Sequence, residues 1–199
     1  MSVLADNQIA ALSLNSERPM ITPFIDRLVK EGPSGLRLIS YGLSSYGYDV
    51  RLAADDLKIF TNLNSVVVDP RKMDPSCYTE PLLRHDEDGL PYVLQPPNSL
   101  MLGHTLEYFR IPRDVLVIVT GKSTYARAGS SVIATPLEPG WEGQLVLEIV
   151  NHTNSPLKVY PGQGIAQLIF HQGSAPCTIS YADRGGKYQG QSGITLPRV

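Results

Sequence analysis

Cysteine is scarce in this chain of 199 residues: Cys77 and Cys177 are its only two, far apart, which excludes a dense disulfide framework and suits a reducing cytosol. Histidine is nearly as sparse, and His85, His104, His152 and His171 stand isolated from one another. A zinc base deaminase needs an H-x-E motif followed by P-C-x-x-C. Here His104-Thr105-Leu106-Glu107 has one residue too many, and Pro176-Cys177-Thr178-Ile179-Ser180 lacks the second cysteine, so no zinc site is expected. There is no G-x-S-x-G elbow on which to build a serine nucleophile. No apolar stretch approaches the roughly 20 residues that span a bilayer, and MSVLADNQIAALSL lacks the basic start of a signal peptide. The formal net charge of -2 gives no long-range pull toward nucleic acid or acidic membrane. These absences predict a soluble cytoplasmic protein that binds neither, with any phosphate recognition confined to a local pocket.

What the chain does contain is punctuation. Its 16 prolines and 17 glycines separate short β-rich runs: Tyr48 to Leu52, Leu57 to Thr61, Ser99 to Glu107, Val115 to Thr120, Gln144 to Val150, Leu157 to Tyr160 and Ile165 to His171. Ahead of them, Val3 to Leu12 reads as a short helix. Thr22-Pro23 reads as the start of a second, with Phe24 and Leu28, and Ile25 and Val29, on its apolar face and Glu31-Gly32-Pro33 as its stop. The expectation is one domain, 1–199, with a helical N-terminal part over 1–35 and a β body. Arg84-His85-Asp86-Glu87-Asp88-Gly89 reads as a solvated turn.

Glu148 is the residue that does not belong. It interrupts the apolar run Leu145-Val146-Leu147-Glu148-Ile149-Val150, where alternation puts Leu145, Leu147 and Ile149 on one face and Val146, Glu148 and Val150 on the other. An unpaired carboxylate buried there would take up a proton, so the position calls for a sheet rim, an ion pair or an active site. A second chemical cluster is Lys122-Ser123-Thr124-Tyr125-Ala126-Arg127. Gly121-Lys122-Ser123 suggests a phosphate loop, but the glycine required five residues earlier is Leu116. What survives is a strand opening into a turn that Ser123 or Thr124 caps, with Lys122 and Arg127 nearby either as cations for an anion or as solvated side chains of a simple capped turn. Trp141 fits a core or interface anchor better than a base-stacking platform. The segment YADRGGKYQGQSG, from Tyr181 to Gly193, is too polar to build its own core, which leaves a frayed terminus or a flap that orders over a ligand.

Taken together, GKSTYAR (Gly121 to Arg127), TPLEPGWEG (Thr135 to Gly143), VLE (Val146 to Glu148), GIAQLIF (Gly164 to Phe170) and DRGGKYQGQSGITLPR (Asp183 to Arg198) resemble the dCTP deaminases of the dUTPase-like superfamily. MITPF (Met20 to Phe24), SSYGYDVR (Ser44 to Arg51) and EYFRIPR (Glu107 to Arg113) extend the resemblance over most of the chain. It implies a mainly β fold, a distorted β-barrel or β-clip, assembled as a homotrimer with active sites between subunits and a flexible C-terminal lid over 181–199. It further implies zinc-independent hydrolysis of the C–N bond at C4 of dCTP, giving dUTP and ammonia, with Mg2+ carried on the triphosphate.

The resemblance assigns catalysis to Glu148, Ser123 and Arg127. Glu148 would shuttle protons, its pKa raised by the neighbouring valines and lowered by Arg127. The resemblance assigns nucleotide contacts to Lys122, Ser123, Thr124, Tyr125, Ala126, Arg127, Val146, Leu147, Glu148, Gln167, Tyr181, Lys187 and Gln191, with Lys187 meeting phosphate. Where such relatives run ARCGIIVNVTPLEPEWEG, this chain reads ARAGSSVIATPLEPGWEG, differing at Ala128, Ser130, Ser131, Ile133, Ala134 and Gly140. If Ser130 to Ala134 line the base pocket, the differences either alter base specificity or are absorbed by a repacked wall that changes nothing. The alternatives are a dUTP or dCTP pyrophosphatase, or a bifunctional enzyme, using Glu138 as its acid, and a noncatalytic protein that binds dCTP through Lys122 and Arg127.

Overall fold

The computed structural model describes residues 2–14, 17–61 and 67–199. Its strands in the first half are β1 (Ser2–Val3), β2 (Ile21–Thr22), β3 (Leu28–Glu31), β4 (Arg37–Ser44), β5 (Gly47–Arg51), β6 (Lys58–Phe60), β7 (Tyr78–Thr79), β8 (Arg84–His85) and β9 (Pro91–Gln95). The longer strands follow: β10 (Ser99–Arg110), β11 (Val115–Gly121), β12 (Ser130–Ile133), β13 (Glu142–Asn151), β14 (Leu157–Val159) and β15 (Gly164–Gln172). The α-helices are α1 (Asp6–Leu14) and α2 (Ser123–Arg127). All seven strand runs expected from the sequence form, within a residue or a few at their ends.

Two antiparallel sheets carry the fold. In one, β15 is the hub, with β11 along one edge and β5 on the other, and β4 and β3 continue outward from β5. In the other, β10 and β13 form the central pair, flanked by β12 beyond β13 and by β6 and β7 beyond β10. A small third sheet orders β14, β9 and β8, so of the turn expected over Arg84 to Gly89, Arg84 and His85 are instead strand and the hairpin turn begins at Asp86, which accepts the Asp88 and Leu90 amides. The β-branched and aromatic content of β11, β13 and β15 suits strands that bury one face. Val117, Leu168 and Phe170 of the first sheet and Met101, Leu147 and Ile149 of the second belong to one buried cluster. Gly103 of β10 is required by that packing, because a Cβ would sit 2.5 Å from the Leu52 side chain.

The N-terminal region departs from the sequence reading. The first helix begins at Asp6, not Val3, because Ser2–Val3 pairs with the end of β15. The second helix does not form. Ile21–Thr22 pairs with β10, the Thr22–Pro23 peptide is cis, and Leu28 and Val29 pair with Gly42 and Tyr41 of β4. The spacing of Phe24, Ile25, Leu28 and Val29 that resembles a helical face is instead satisfied through tertiary contacts. Phe24 stacks on Tyr48 at 5.5 Å, and the Tyr48 hydroxyl accepts the Ile25 N–H. Among the described residues of 1–35 the helical structure is therefore α1 and a short 3-10 turn at Pro33–Gly35.

Candidate active site

Along β13 burial alternates residue by residue, so Leu145, Leu147 and Ile149 enter the core while Val146, Glu148 and Val150 lie half-buried on the opposite face. Register then selects the neighbours of Glu148: Leu102 of β10 on one side and Ile133 of β12 on the other. This face is the floor of a cavity of about 880 Å³, lined by Glu148, Val146, Leu100, Leu102, Ile133, Ala134, Glu138, Trp141 and Tyr78. That is within the roughly 300–1,000 Å³ typical of small-molecule sites. Burial pushes the Glu148 carboxyl above its ordinary range, opposed by a hydrogen bond from its own backbone; Arg127 does not contribute. The Tyr78 hydroxyl is also raised, by burial first and then by the charges of Cys77 and Glu148, which keeps it a neutral donor beside the carboxylate.

The C-terminal segment closes this cavity, with Tyr181, Tyr188, Gln191, Thr195 and Pro197 in its wall. It has no core of its own and borrows hydrogen bonds from the start of β13. The Trp141 indole donates to the Tyr188 carbonyl at 3.1 Å. The Gln144 amide donates to the Gln191 carbonyl at 2.9 Å, and the Gln191 side chain returns a bond to the Gln144 carbonyl at 2.8 Å. Gln144 Oε1 accepts from the Gly193 amide and the Ser192 hydroxyl, and Asp56 Oδ2 accepts the Ile194 amide at 2.7 Å. Gly143, at φ +148, lets the strap approach this closely, since a Cβ there would lie 3.0 Å from the Gln191 carbonyl oxygen. Arg113 pairs with Asp183 at the root of the strap, and Arg184 pairs with Glu138 in the cavity wall.

The second group of expected site residues lies elsewhere. β11 ends in Gly121, and the chain turns into the five-residue α2, which exposes Ser123, Thr124, Ala126 and Arg127 and buries Tyr125. The Tyr125 hydroxyl accepts the Tyr160 amide at 3.0 Å. Neither Ser123 nor Thr124 is the N-cap; that position is Lys122, whose side chain makes no capping bond and instead reaches Asp49 at 2.6 Å. Gln167 lies close to this group, opposite Asp49 of β5 and Thr120 of β11 in the registers of β15.

The expected site thus falls into two clusters on one chain. Val146, Glu148, Tyr181 and Gln191 share the cavity, whereas none of residues 122–127 lines it, and Thr124 borders a separate groove with Arg37 and Asp88. Leu147 and Tyr125 point into the core, which leaves them only main-chain groups to offer a ligand. Lys187 donates to the Arg198 carbonyl within the tail. Of the differing wall residues, only Ile133 and Ala134 border the cavity. Ser130 is buried, and the Ser131 hydroxyl meets His152 Nε2 at 2.8 Å.

Sequence reasoning missed Tyr78, Leu100 and Leu102, whose place depends on strand pairing that no local pattern displays. It also missed Asp49, although the rule that singled out Glu148 applies equally to a carboxylate between Tyr48 and Val50. Among the described residues, no three His, Cys, Asp or Glu side chains are grouped so as to hold a metal ion.

Comparison with known proteins identifies the family. The sequence model described as dCTP deaminase-like matches residues 3–173. A dCTP deaminase of Ectopseudomonas mendocina (strain ymp) is 51% identical over 199 residues, covering all of both chains. One of Chromobacterium violaceum is 49% identical over 198 residues, again over the full length of both. Among solved structures, the 2'-deoxycytidine 5'-triphosphate deaminase of Agrobacterium tumefaciens superposes with a TM-score of 0.54 at 17% identity, over 86% of this chain and 48% of that one, which supports the fold alone. By sequence over its whole length, the chain belongs to the dCTP deaminase-like family.

Proposed function

We propose that this protein is a hydrolase that deaminates dCTP, presented with Mg2+ on its triphosphate, to dUTP and ammonia, supplying the route to dUMP and dTTP. The observation that carries the chemical reading is Glu148: a carboxylate with a raised pKa in a largely apolar cavity, beneath a strap of polar and aromatic side chains. Full-length relatives named as dCTP deaminases support the substrate.

In the proposed mechanism, water adds to C4 of cytosine while Glu148 takes its proton and delivers it to N3. The C4–N4 bond then breaks as the amine gains a proton and leaves as ammonia, and loss of the remaining hydroxyl proton yields the C4 carbonyl. Proton transfer of this kind is worth roughly 10² to 10⁴-fold, so positioning and fixed dipoles carry the rest. Ser123 holds the water or the developing C4 centre, and Arg127 orients the site. Both are exposed and lie outside the Glu148 cavity of their own chain, which supports completion of the site by α2 of a second copy in a homotrimer. Gln167, Tyr181, Lys187 and Gln191 contact the nucleotide, and the C-terminal strap acts as a lid that excludes water. Ile133 and Ala134, which border the cavity, are where a change of base specificity would be built.

Glu138, the acid the pyrophosphatase alternative would use, is paired with Arg184 at the cavity wall, and the full-length relatives named as dCTP deaminases favour deamination. Purified protein with dCTP and Mg2+ should therefore release ammonia with the triphosphate intact. Release of pyrophosphate instead of ammonia would sink this reading.

A further inference from the structure

Lys122 carries the most conspicuous cation of the GKSTYAR segment, and its direction is unexpected for a phosphate ligand. Its ammonium donates to Asp49 Oδ2 at 2.6 Å, and the two side chains are only 10% and 7% exposed. Asp49 lies on β5 and pairs with Gln167 of β15; on the other edge of β15, Gln167 pairs with Thr120, two residues before Lys122. The ion pair therefore reaches across the middle strand and ties β5 to the end of β11. Gly164 makes room for it, because a Cβ there would collide with the Ser40 carbonyl and lie 3.2 Å from Lys122 Cε.

The consequence falls on α2. Lys122 is its N-cap, its side chain gives no capping bond, and Ser123 is the next residue. Two inward anchors, Lys122 on Asp49 and the Tyr125 hydroxyl on the Tyr160 amide, fix a five-residue turn too short to hold its own shape, and leave Ser123 and Arg127 facing outward. A charge that is buried and paired is a poor candidate for a solvent-facing phosphate clamp, whereas losing either partner would leave the other uncompensated.

We propose that Asp49 is a positioning residue for the reaction: it anchors Lys122, and through Lys122 it sets the placement of Ser123 and Arg127, so that Lys122 serves the site from inside the fold and not as a triphosphate ligand. This rests on the reading of Ser123 and Arg127 as reaction-site residues. A displacement of about 1 Å at such a site is enough for roughly 100-fold in rate.

The test is a cycle of Asp49→Asn, Lys122→Met and the double variant, with kcat and KM measured by ammonia release from dCTP, dUTP binding by equilibrium dialysis, and thermal midpoints to confirm folding. The expected result is a kcat loss of about 10- to 100-fold in each single variant, dUTP binding within about twofold of the parent, and a double variant no worse than the poorer single one. Additive losses would overturn the proposal, as would Lys122→Met losing dUTP binding while Asp49→Asn keeps it, or lowered thermal midpoints with kcat untouched. If Asp49→Asn fails to fold, Lys122→Met alone decides, because kcat loss with binding retained supports positioning and the reverse contradicts it. Parent enzyme and Ser123→Ala run alongside. No ammonia from the parent, or full activity in Ser123→Ala, defeats the underlying reading, whereas wild-type kcat in Asp49→Asn with those controls intact defeats this inference alone.

Discussion

Asp56 gives the sharpest handle on the proposed lid. It sits at φ +51, a left-handed conformation that few non-glycine residues adopt, and its carboxylate both pairs with Lys58 and accepts the Ile194 amide at 2.7 Å. Asp56→Gly removes the acceptor while leaving a residue that tolerates the backbone, so the lost bond dominates the effect. A hydrogen bond to a charged group contributes about 1.5–3 kcal/mol, and the partial exposure of Asp56 argues for the lower end. At about 1.4 kcal/mol per factor of ten, the open-to-closed ratio of the strap should rise roughly tenfold. Trypsin reads that ratio at Lys187, which is exposed and lies in the strap just before the clasp at Gln191 to Ile194, because cleavage of a transiently opened segment follows its open population. Clipping at Lys187 should be about tenfold faster in Asp56→Gly, and KM for dCTP should rise by up to the same factor with kcat less affected. Asp56→Asn, which keeps an oxygen acceptor without the charge, should fall between. Clipping and KM within about twofold of the parent in Asp56→Gly would refute the clasp, since the lost bond would then contribute less than about 0.4 kcal/mol.

Three further predictions concern the carboxylates of Glu107 and Glu148. Arg51 Nε and its amide both donate to Glu107, which is fully buried, at 2.7 and 3.0 Å, so Arg51→Met strands a charge and should cost about 3–5 kcal/mol in urea unfolding. A loss under about 1 kcal/mol would contradict the account of that pair, given total stabilities of about 5–15 kcal/mol. The proposed mechanism starts from ionised Glu148, so the acid limb of kcat/KM should lie above the ordinary glutamate value of about 4.3; a limb at that ordinary value would count against its burial as the cause. Since the folded-state pKa is raised, the stability that Glu148 contributes is present below its unfolded pKa and lost as pH rises through the folded one. Glu148→Gln should therefore be more stable than the parent near neutrality, measured by the same urea titration.

The β body was legible because its signal is local. Alternation in Leu145 to Val150 placed Glu148 on the correct face, and the runs at Val115 and Ile165 have no competing reading. The failed helix over 22–31 shows the limit. Its apolar spacing is genuine, but Gly42, Tyr41 and the Tyr48 hydroxyl, all distant in sequence, decide the outcome. The site divides along the same line. Motif order brought out Glu148, Ser123 and Arg127, but the fold keeps α2 apart from the Glu148 cavity of its own chain. The ion pair of Lys122 is not legible locally, because its partner Asp49 lies 73 residues away. The tail looked unable to order itself, and it does not do so alone: Gln144 and Asp56 supply the acceptors.

The central claim is that one copy supplies Glu148 and another supplies Ser123 and Arg127 to each site. Glu148→Gln and Arg127→Met, each inactive alone, should be unfolded together, refolded as a mixture and assayed for ammonia release from dCTP. If the site is shared between copies, random mixing restores up to about a quarter of parental activity, because about one interface in four joins an intact Glu148 to an intact Arg127. If mixed oligomers form and ammonia release stays at the level of the separate variants, the composite site is wrong.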